Sequence, residues 1–226
     1  MTTDEIATVG SASLHLSSVS HRFGRDGPWV FRGVDLSLSA EGKAVAVVAP
    51  SGSGKTTLLG IIGGLIRPTE GEVTWLTESG RPADARSCCA WVLQTTNALG
   101  RRTALENVAM VAMAEGDGLG SGRERAAAAL AAVGLGEVVD REARKLSGGE
   151  LQRVAVARAL VSKAPFILAD EPTGQLDSGT SAAVIEALLG SVRSGGRGLV
   201  VVTHDHRISD RCDRVYGLEG HLEETT

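Results

Sequence analysis

"AVVAPSGSGKTT", residues 46–57, is the stretch on which the reading of this chain turns. A short apolar run, Ala44–Val48, breaks at a glycine- and serine-rich turn, and a helical stretch, Thr56–Leu65, follows. Gly54, Lys55 and Thr56 fit the end of the phosphate-binding pattern G-x-x-x-x-G-K-[ST]. Its first position is Ala49, where the pattern has glycine. Alanine suits a strand end if φ stays negative, and its methyl is small, so the substitution reads as tolerated. The residues placed to meet a nucleotide are Ser51, Gly52, Ser53, Gly54, Lys55, Thr56 and Thr57. Backbone N–H groups there converge on phosphate oxygens, and the helix dipole adds positive potential. Gly52 and Gly54 allow close approach and φ > 0. Lys55 would reach the β- and γ-phosphates, and the Thr56 hydroxyl would ligate Mg²⁺. An ordinary strand–turn–helix stays open for the loop taken alone.

About a hundred residues on, "FILADEPTGQLD" (166–177) ends an apolar strand in Asp170 and Glu171. Adjacent strand residues point to opposite sides, so the two carboxylates are expected to take different tasks. Asp170 suits the Mg²⁺ shell, and Glu171 suits a base that polarises an attacking water. A single acidic pair often just opens a loop, but the upstream glycine loop favours the functional reading.

"LSGGE", residues 146–150, carries two readings. Ser147 and Glu150 fit a capping box at a helix start. That does not account for Gly148 and Gly149, since each costs a helix ~1 kcal/mol. Bare backbone at a helix N-terminus also lets an anion approach closely. Ser147, Gly148 and Gly149 are therefore a second candidate phosphate contact, and two such contacts in one chain imply two copies meeting across a symmetric dimer.

Bulk properties narrow the field. The 226 residues and 42% hydrophobic content suffice for one sizeable core or a core plus a small lobe. The net charge of −4 lacks the basic footprint of a nucleic-acid binder. No apolar run approaches a membrane span of ~20 residues. "MTTDEIATVG" lacks the pattern of a signal peptide, so a cytoplasmic location is expected. Cys88, Cys89 and Cys212 lack metal-ligand spacing and read as ordinary thiols.

Strands are expected at Leu14–Val19, Val30–Leu38, 44–48, 72–76, 166–170 and 198–203, with "GRDG" (24–27) as a turn. Helical patterns fill 103–114, 123–134, 149–162 and 180–194. On the 149–162 helix, Leu151, Val154, Ala155, Ala157 and Leu160 lie near one face. "EGDGLGSGRE" (115–124) reads as a flexible surface loop. Strand–helix alternation predicts an α/β fold with a largely parallel sheet, and the middle helices look like an inserted lobe.

Six motifs in order then resemble the nucleotide-binding subunit of ATP-binding cassette (ABC) transporters over essentially the whole chain. "APSGSGKTT" resembles Walker A, "VLQ" the Q-loop at Gln94, "LSGGE" the ABC signature and "FILADEPT" Walker B with its glutamate. "GQLD" resembles the D-loop and "VTHD" the switch at His204. The resemblance implies a RecA-like P-loop NTPase core with an antiparallel β-subdomain and an inserted α-helical subdomain. Within a single ABC ATPase domain, 1–226, the core and β-subdomain would take 1–94 and 165–226, and the helical subdomain 95–164. It implies ATP and Mg²⁺ as ligands and ATP hydrolysis as the activity. Phe23 would stack on adenine, although a lone Phe more often fills a core. Gln94 would contact Mg²⁺ and the attacking water, His204 would hold the γ-phosphate, and Asp177 would help communicate across the dimer.

"TTNALGRRTALENV" (95–108) is similar to the group of lipoprotein-release, macrolide-export, bacitracin-resistance and cell-division ATPases, matching at Asn97, Leu99, Arg101, Thr103, Glu106 and Asn107. Three features depart from the pattern: Ala49, Gln175 in place of the common Asn, and a stretch from Gly80 to Gln94 shorter than that group's. The implied partners are a second copy and a separate membrane permease, which would hold the chain at the inner face of the cell membrane. The surface from Gln94 to Glu106 is the expected docking face, with Leu99 as anchor or packed inside the helical lobe. An ATPase driving a signalling complex that transports nothing, and an ABC protein of DNA repair or translation, are the other classes.

Overall fold

The computed structural model describes residues 11–94 and 97–225. In chain order the strands are β1 (Ser13–Arg22), β2 (Trp29–Ser39), β3 (Ala44–Val48), β4 (Glu70–Leu76), β5 (Cys89–Val92), β6 (Phe166–Asp170), β7 (Gly198–Thr203), β8 (Arg214–Leu218) and β9 (Leu222–Glu224). The helices are α1 (Lys55–Ile62), α2 (Ala85–Cys88), α3 (Ala104–Ala114), α4 (Leu119–Ala132), α5 (Gly148–Val161), α6 (Ser178–Gly195) and α7 (His206–Ser209). Among the described residues no helix is long and apolar enough to cross a membrane.

Two sheets result. One is antiparallel, in the order β2-β1-β4, and the other runs β5-β6-β7-β3-β8-β9. The second is parallel except for its edge strand β9, which is antiparallel to β8. The expected parallel sheet is therefore present. Its strands β6 and β7 are buried along their whole length, which is why they read as unbroken apolar runs.

The period of two in these strands divides the interior. Ala44, Ala46, Ile167, Ala169, Leu199 and Val201 face one core, which α3, α4, α5 and α6 complete. Val45, Val47, Phe166, Leu168, Val200 and Val202 face the other, shared with α1 and the antiparallel sheet. Gly198 admits Phe166 between the layers, for a Cβ there would lie 2.4 Å from the ring.

Three expectations need correction. The 115–124 stretch is not a loop throughout, because α4 begins at Leu119. Gly122 faces α3, and a Cβ there would meet Met113 Cγ at 3.2 Å, so close helix packing outweighs the weak helix propensity of glycine. On α5 the buried residues are Gln152, Val154, Val156, Ala157, Ala159 and Val161, whereas Leu151, Ala155 and Leu160 are only partly buried. This helix is covered on more than one side, which a single-face reading misses. Finally, β5, β8 and β9 were not anticipated. They are only three to five residues long, and they lack the aliphatic runs that mark the equally short β3 and β6.

Candidate nucleotide site

Strands β3, β6 and β7 run parallel and end at one edge of the sheet. Parallel α/β sheets bind ligands beyond the carboxyl ends of their strands. Three sequence-distant segments thus meet there: the glycine loop after β3, Asp170–Glu171 at the end of β6, and Thr203–His204 at the end of β7.

The glycine loop is built for an anion. Gly52 and Gly54 have φ of 83° and 95°. At Gly54 a Cβ would also lie 2.3 Å from Val30 Cγ1, so glycine is required there twice over. Gly54 caps α1 without a side-chain hydrogen bond, and the first turn carries no acid. The N-terminal N–H groups of α1 and the positive end of its dipole are thereby left to a ligand. Ala49 is buried, and among the described non-glycine residues only Ser18 and Glu171 have positive φ. Its backbone is therefore ordinary for an L-residue, and its methyl joins the core shared with α1. The loop has no geometric need of glycine at its first position.

A cleft of about 580 Å³ opens in front of this loop, lined by Phe23, Val30, Ser51, Gly52, Gly54, Lys55, Thr56, Thr57, Gln94, Asp170 and Glu171. Phe23 is 62% exposed and stands edge-on to His21 at 4.8 Å, so it is a free ring face rather than a core residue. Lys55 Nζ is buried within the loop and donates to Ala49 O at 2.6 Å and Pro50 O at 2.9 Å. Ser53 does not line the cleft: its N–H donates to Pro50 O at 3.3 Å. Its Oγ is buried without a partner.

The two acids diverge as expected, for a different reason. Asp170 ends β6 and accepts from Thr56 Oγ1 at 2.8 Å. Burial pushes its carboxyl above the usual range, opposed by the Thr56 hydrogen bond. Glu171 is not a strand residue. Its φ of 46° turns the chain, and this left-handed conformation in a non-glycine residue costs ~1–3 kcal/mol. The turn, rather than strand alternation, aims its carboxylate at the end of β7. There Thr203 Oγ1 donates at 3.0 Å, and His204 Nδ1 lies 2.8 Å from Glu171 Oε1. His204 itself is exposed. Thr173 in the same turn donates to Asp205, which also pairs with Arg207. The Arg207 hydrogen bond first, then Thr173, holds the Asp205 carboxyl down at about 2.

Ser147, Gly148 and Gly149 lie outside this cleft. Ser147 and Gly148 are exposed at the start of α5. The capping box is present, with Ser147 Oγ accepting from Glu150 N at 3.2 Å and the Glu150 carboxylate accepting from Ser147 N at 2.8 Å. The two glycines have a packing role as well: Gln175 O lies 3.1 Å from where a Gly149 Cβ would stand. Asp177 also lies outside the cleft and caps α6, accepting from Thr180 N at 3.0 Å. Burial raises the pKa of all three cysteines, Cys212 to about 12, which keeps them protonated.

Sequence reasoning missed Val30, Thr203 and Gln152. Val30 and Thr203 reach the site only through tertiary pairing. Gln152 carried a local signal, a polar residue among the apolar residues of α5.

A phosphate loop, a buried Asp–Thr pair and a poised carboxylate on a parallel sheet define a nucleotide-hydrolysing P-loop site. The chain belongs to the ABC transporter family, whose model matches residues 31–174. It is the nucleotide-binding ATPase subunit of a transporter-type system, with the RecA-like ABC ATPase fold. It is 43% identical over 203 residues to the lipoprotein-releasing system ATP-binding protein LolD of Xanthomonas axonopodis pv. citri (strain 306), covering 86% of this chain and 83% of that one. It is 42% identical over 201 residues to LolD of Legionella pneumophila (strain Paris), covering 85% and 88%. Among solved structures, the ATP-binding cassette MJ0796 in a dimeric post-hydrolysis state bound to ADP and Pi superposes with a TM-score of 0.83 at 34% identity, covering 94% of this chain and 98% of that one.

Proposed function

We propose that two copies of this chain close around two ATP molecules, each held by residues 49–57 and 170–171 of one copy and by 147–149 of the other. The supporting observation is positional: the signature is an exposed helix start outside its own chain's cleft. Phe23 stacks on the adenine, and the 51–57 backbone with Lys55 takes the phosphates. Glu171 polarises the attacking water, and His204 orients the Glu171 carboxylate and holds the γ-phosphate. Asp177, at the start of α6, faces the partner copy. Residues 1–94 and 165–226 act as core and β-subdomain, and 95–164 as the helical subdomain that carries the signature.

The residues fit Mg²⁺. Among the described residues no cluster of three or more His, Cys, Asp or Glu forms a metal cage. Mg²⁺ does not need one, since it keeps waters and binds one or two carboxylates plus phosphate oxygens. Asp170, buried beside the Thr56 hydroxyl, is a carboxylate that a divalent cation would stabilise. Gln94 lines the same cleft and would contact the ion. Held by Thr56, Gln94 and Asp170, the ion would supply positive charge that offsets the negative charge of the phosphates.

Mixed dimers test the shared site. In a dimer of a Lys55→Ala chain with a Ser147→Arg chain, the proposed arrangement leaves one site with neither lesion, and nucleotide trapping at half occupancy is expected. An arrangement confined to one chain leaves no intact site, so a complete absence of trapping rejects the proposal.

The driven partner is a separate membrane permease that holds the cassette against the inner face of the membrane, in an exporting or extracting system. Leu99 is 48% exposed. Its backbone is fixed at both ends by the Asn107 side chain, at 2.7 and 3.2 Å, which presents it as a rigid apolar knob rather than a residue of the helical interior. Leu99→Glu is expected to abolish co-purification with the permease while ATP binding persists. Unchanged co-purification of a correctly folded variant rules this anchor out.

A further inference from the structure

Gln152 is a fully buried amide on α5. A buried carboxamide without partners is costly, so its contacts reveal what it is there to hold. Both lie on a single turn of another element. Nε2 donates to Glu171 O at 2.7 Å, and Oε1 accepts from Gln175 N at 3.0 Å. The amide therefore spans the turn from end to end. Glu171 O also accepts from Gly174 N at 3.1 Å, and Glu171 N donates to Val202 O at 2.9 Å. The positive φ of Glu171 is fixed from both sides, and among the described residues Gln152 is the one side chain of α5 that hydrogen-bonds to this backbone.

Gln152 stands four residues after Gly148, one helical turn or ~6 Å along the axis. The same turn touches the glycines themselves: Gln175 Oε1 is 3.0 Å from where a Gly148 Cβ would stand. The start of α5 and the Glu171–Gln175 turn are therefore joined by two hydrogen bonds and by the close approach of Gln175 to Gly148 and Gly149.

We propose that Gln152 is a positioning residue, holding the Glu171–Gln175 turn so that the Glu171 carboxylate meets the attacking water and linking that carboxylate to the signature end of its own chain. This rests on the reading of Glu171 as the base. If the signature serves the partner's ATP, the amide carries the state of one site to the carboxylate of the other.

Two variants test it. Gln152→Leu keeps the volume and removes both hydrogen bonds. Gln152→Glu keeps the acceptor for Gln175 N–H but sets a carboxylate oxygen against Glu171 O. Once protonated, that carboxyl again both donates and accepts, and burial raises the pH at which this happens. The Leu variant is expected to lose at least about tenfold in kcat while ATP affinity stays within about threefold, the pattern of an interaction that matters in the transition state. The Glu variant is expected to regain turnover relative to the parent between about pH 8 and pH 6. A merely structural amide would lower Tm and affinity together and give no such pH-dependent recovery in kcat. The proposal is overturned if the Leu variant turns over within about twofold of the parent, or if its loss in kcat is matched by an equal loss in affinity. Should the Leu variant not fold, a flat relative pH profile for the Glu variant overturns it. Glu171→Gln, run in parallel, tests the base separately: parental turnover there rejects the base, whatever the Gln152 variants do.

Discussion

Glu171→Gln is expected to bind Mg-ATP as the parent does and to hydrolyse it about 10²–10⁴-fold more slowly, the usual contribution of a positioned general base. The change is nearly isosteric. One carboxylate oxygen becomes an amide nitrogen, and an amide accepts a proton from water poorly. The surroundings should hold, because Thr203 Oγ1 and His204 Nδ1 can each still pair with one end of the amide. The backbone bonds of the turn, to Val202 O and from Gln152, do not involve the side chain. Slow hydrolysis with intact binding should trap a dimer, measurable by light scattering in the presence of ATP. Hydrolysis at the parental rate removes Glu171 from the chemistry.

Lys55→Ala is the second large effect, and its reading is binding. Among the described residues Lys55 is the one lysine lining the cleft, and a bound triphosphate would draw its Nζ from the Ala49 and Pro50 carbonyls. In a partly buried site a hydrogen bond to a charged group contributes ~1.5–3 kcal/mol, and removing it should weaken ATP by at least about tenfold. Ala49→Gly is the contrast. Ala49 has ordinary backbone, and it packs in the core and does not line the cleft. That variant should change ATP affinity by less than about tenfold, ~1.4 kcal/mol. Titration with a fluorescent nucleotide checks both. A parent that binds poorly and is rescued by Ala49→Gly would mean that the alanine impairs the loop.

The segments that meet at the candidate site were legible because each is contiguous. Residues 49–57 hold their glycines, lysine and threonine within one turn, and the acids of 170–171 follow an apolar run. Strand β7 was equally plain, since burial on both faces leaves only aliphatic residues. What escaped depends on distance. Thr203 joins the site only because β7 lies beside β6, and Val30 only because β2 crosses behind Gly54. Alternation predicted that Asp170 and Glu171 would part, but the chain parts them by turning at Glu171. The start of α4 was hidden because Gly120 and Gly122 read as loop, and only the neighbouring α3 explains why a small residue is wanted at Gly122. The helical face of α5 was misjudged because α3, α4, α6 and β5 all pack against it and leave no single dry side.

The division of β3, β6 and β7 between two cores bears on where this chain can change length. Each of these strands assigns odd positions to one interior and even positions to the other. A single inserted or deleted residue would reverse that parity, in β3 exchanging small alanines for valines against the wrong helices. It would also shift Ala49, Asp170 or His204 by one place at the edge where they must meet. The core and the edge that carries the candidate site therefore reject the same lesion. Insertions and deletions are left to segments without parity. Residues 77–84, between β4 and the one-turn helix at Ala85–Cys88, are one such place, because a change of length there leaves the count in β5 and in the three central strands unaltered.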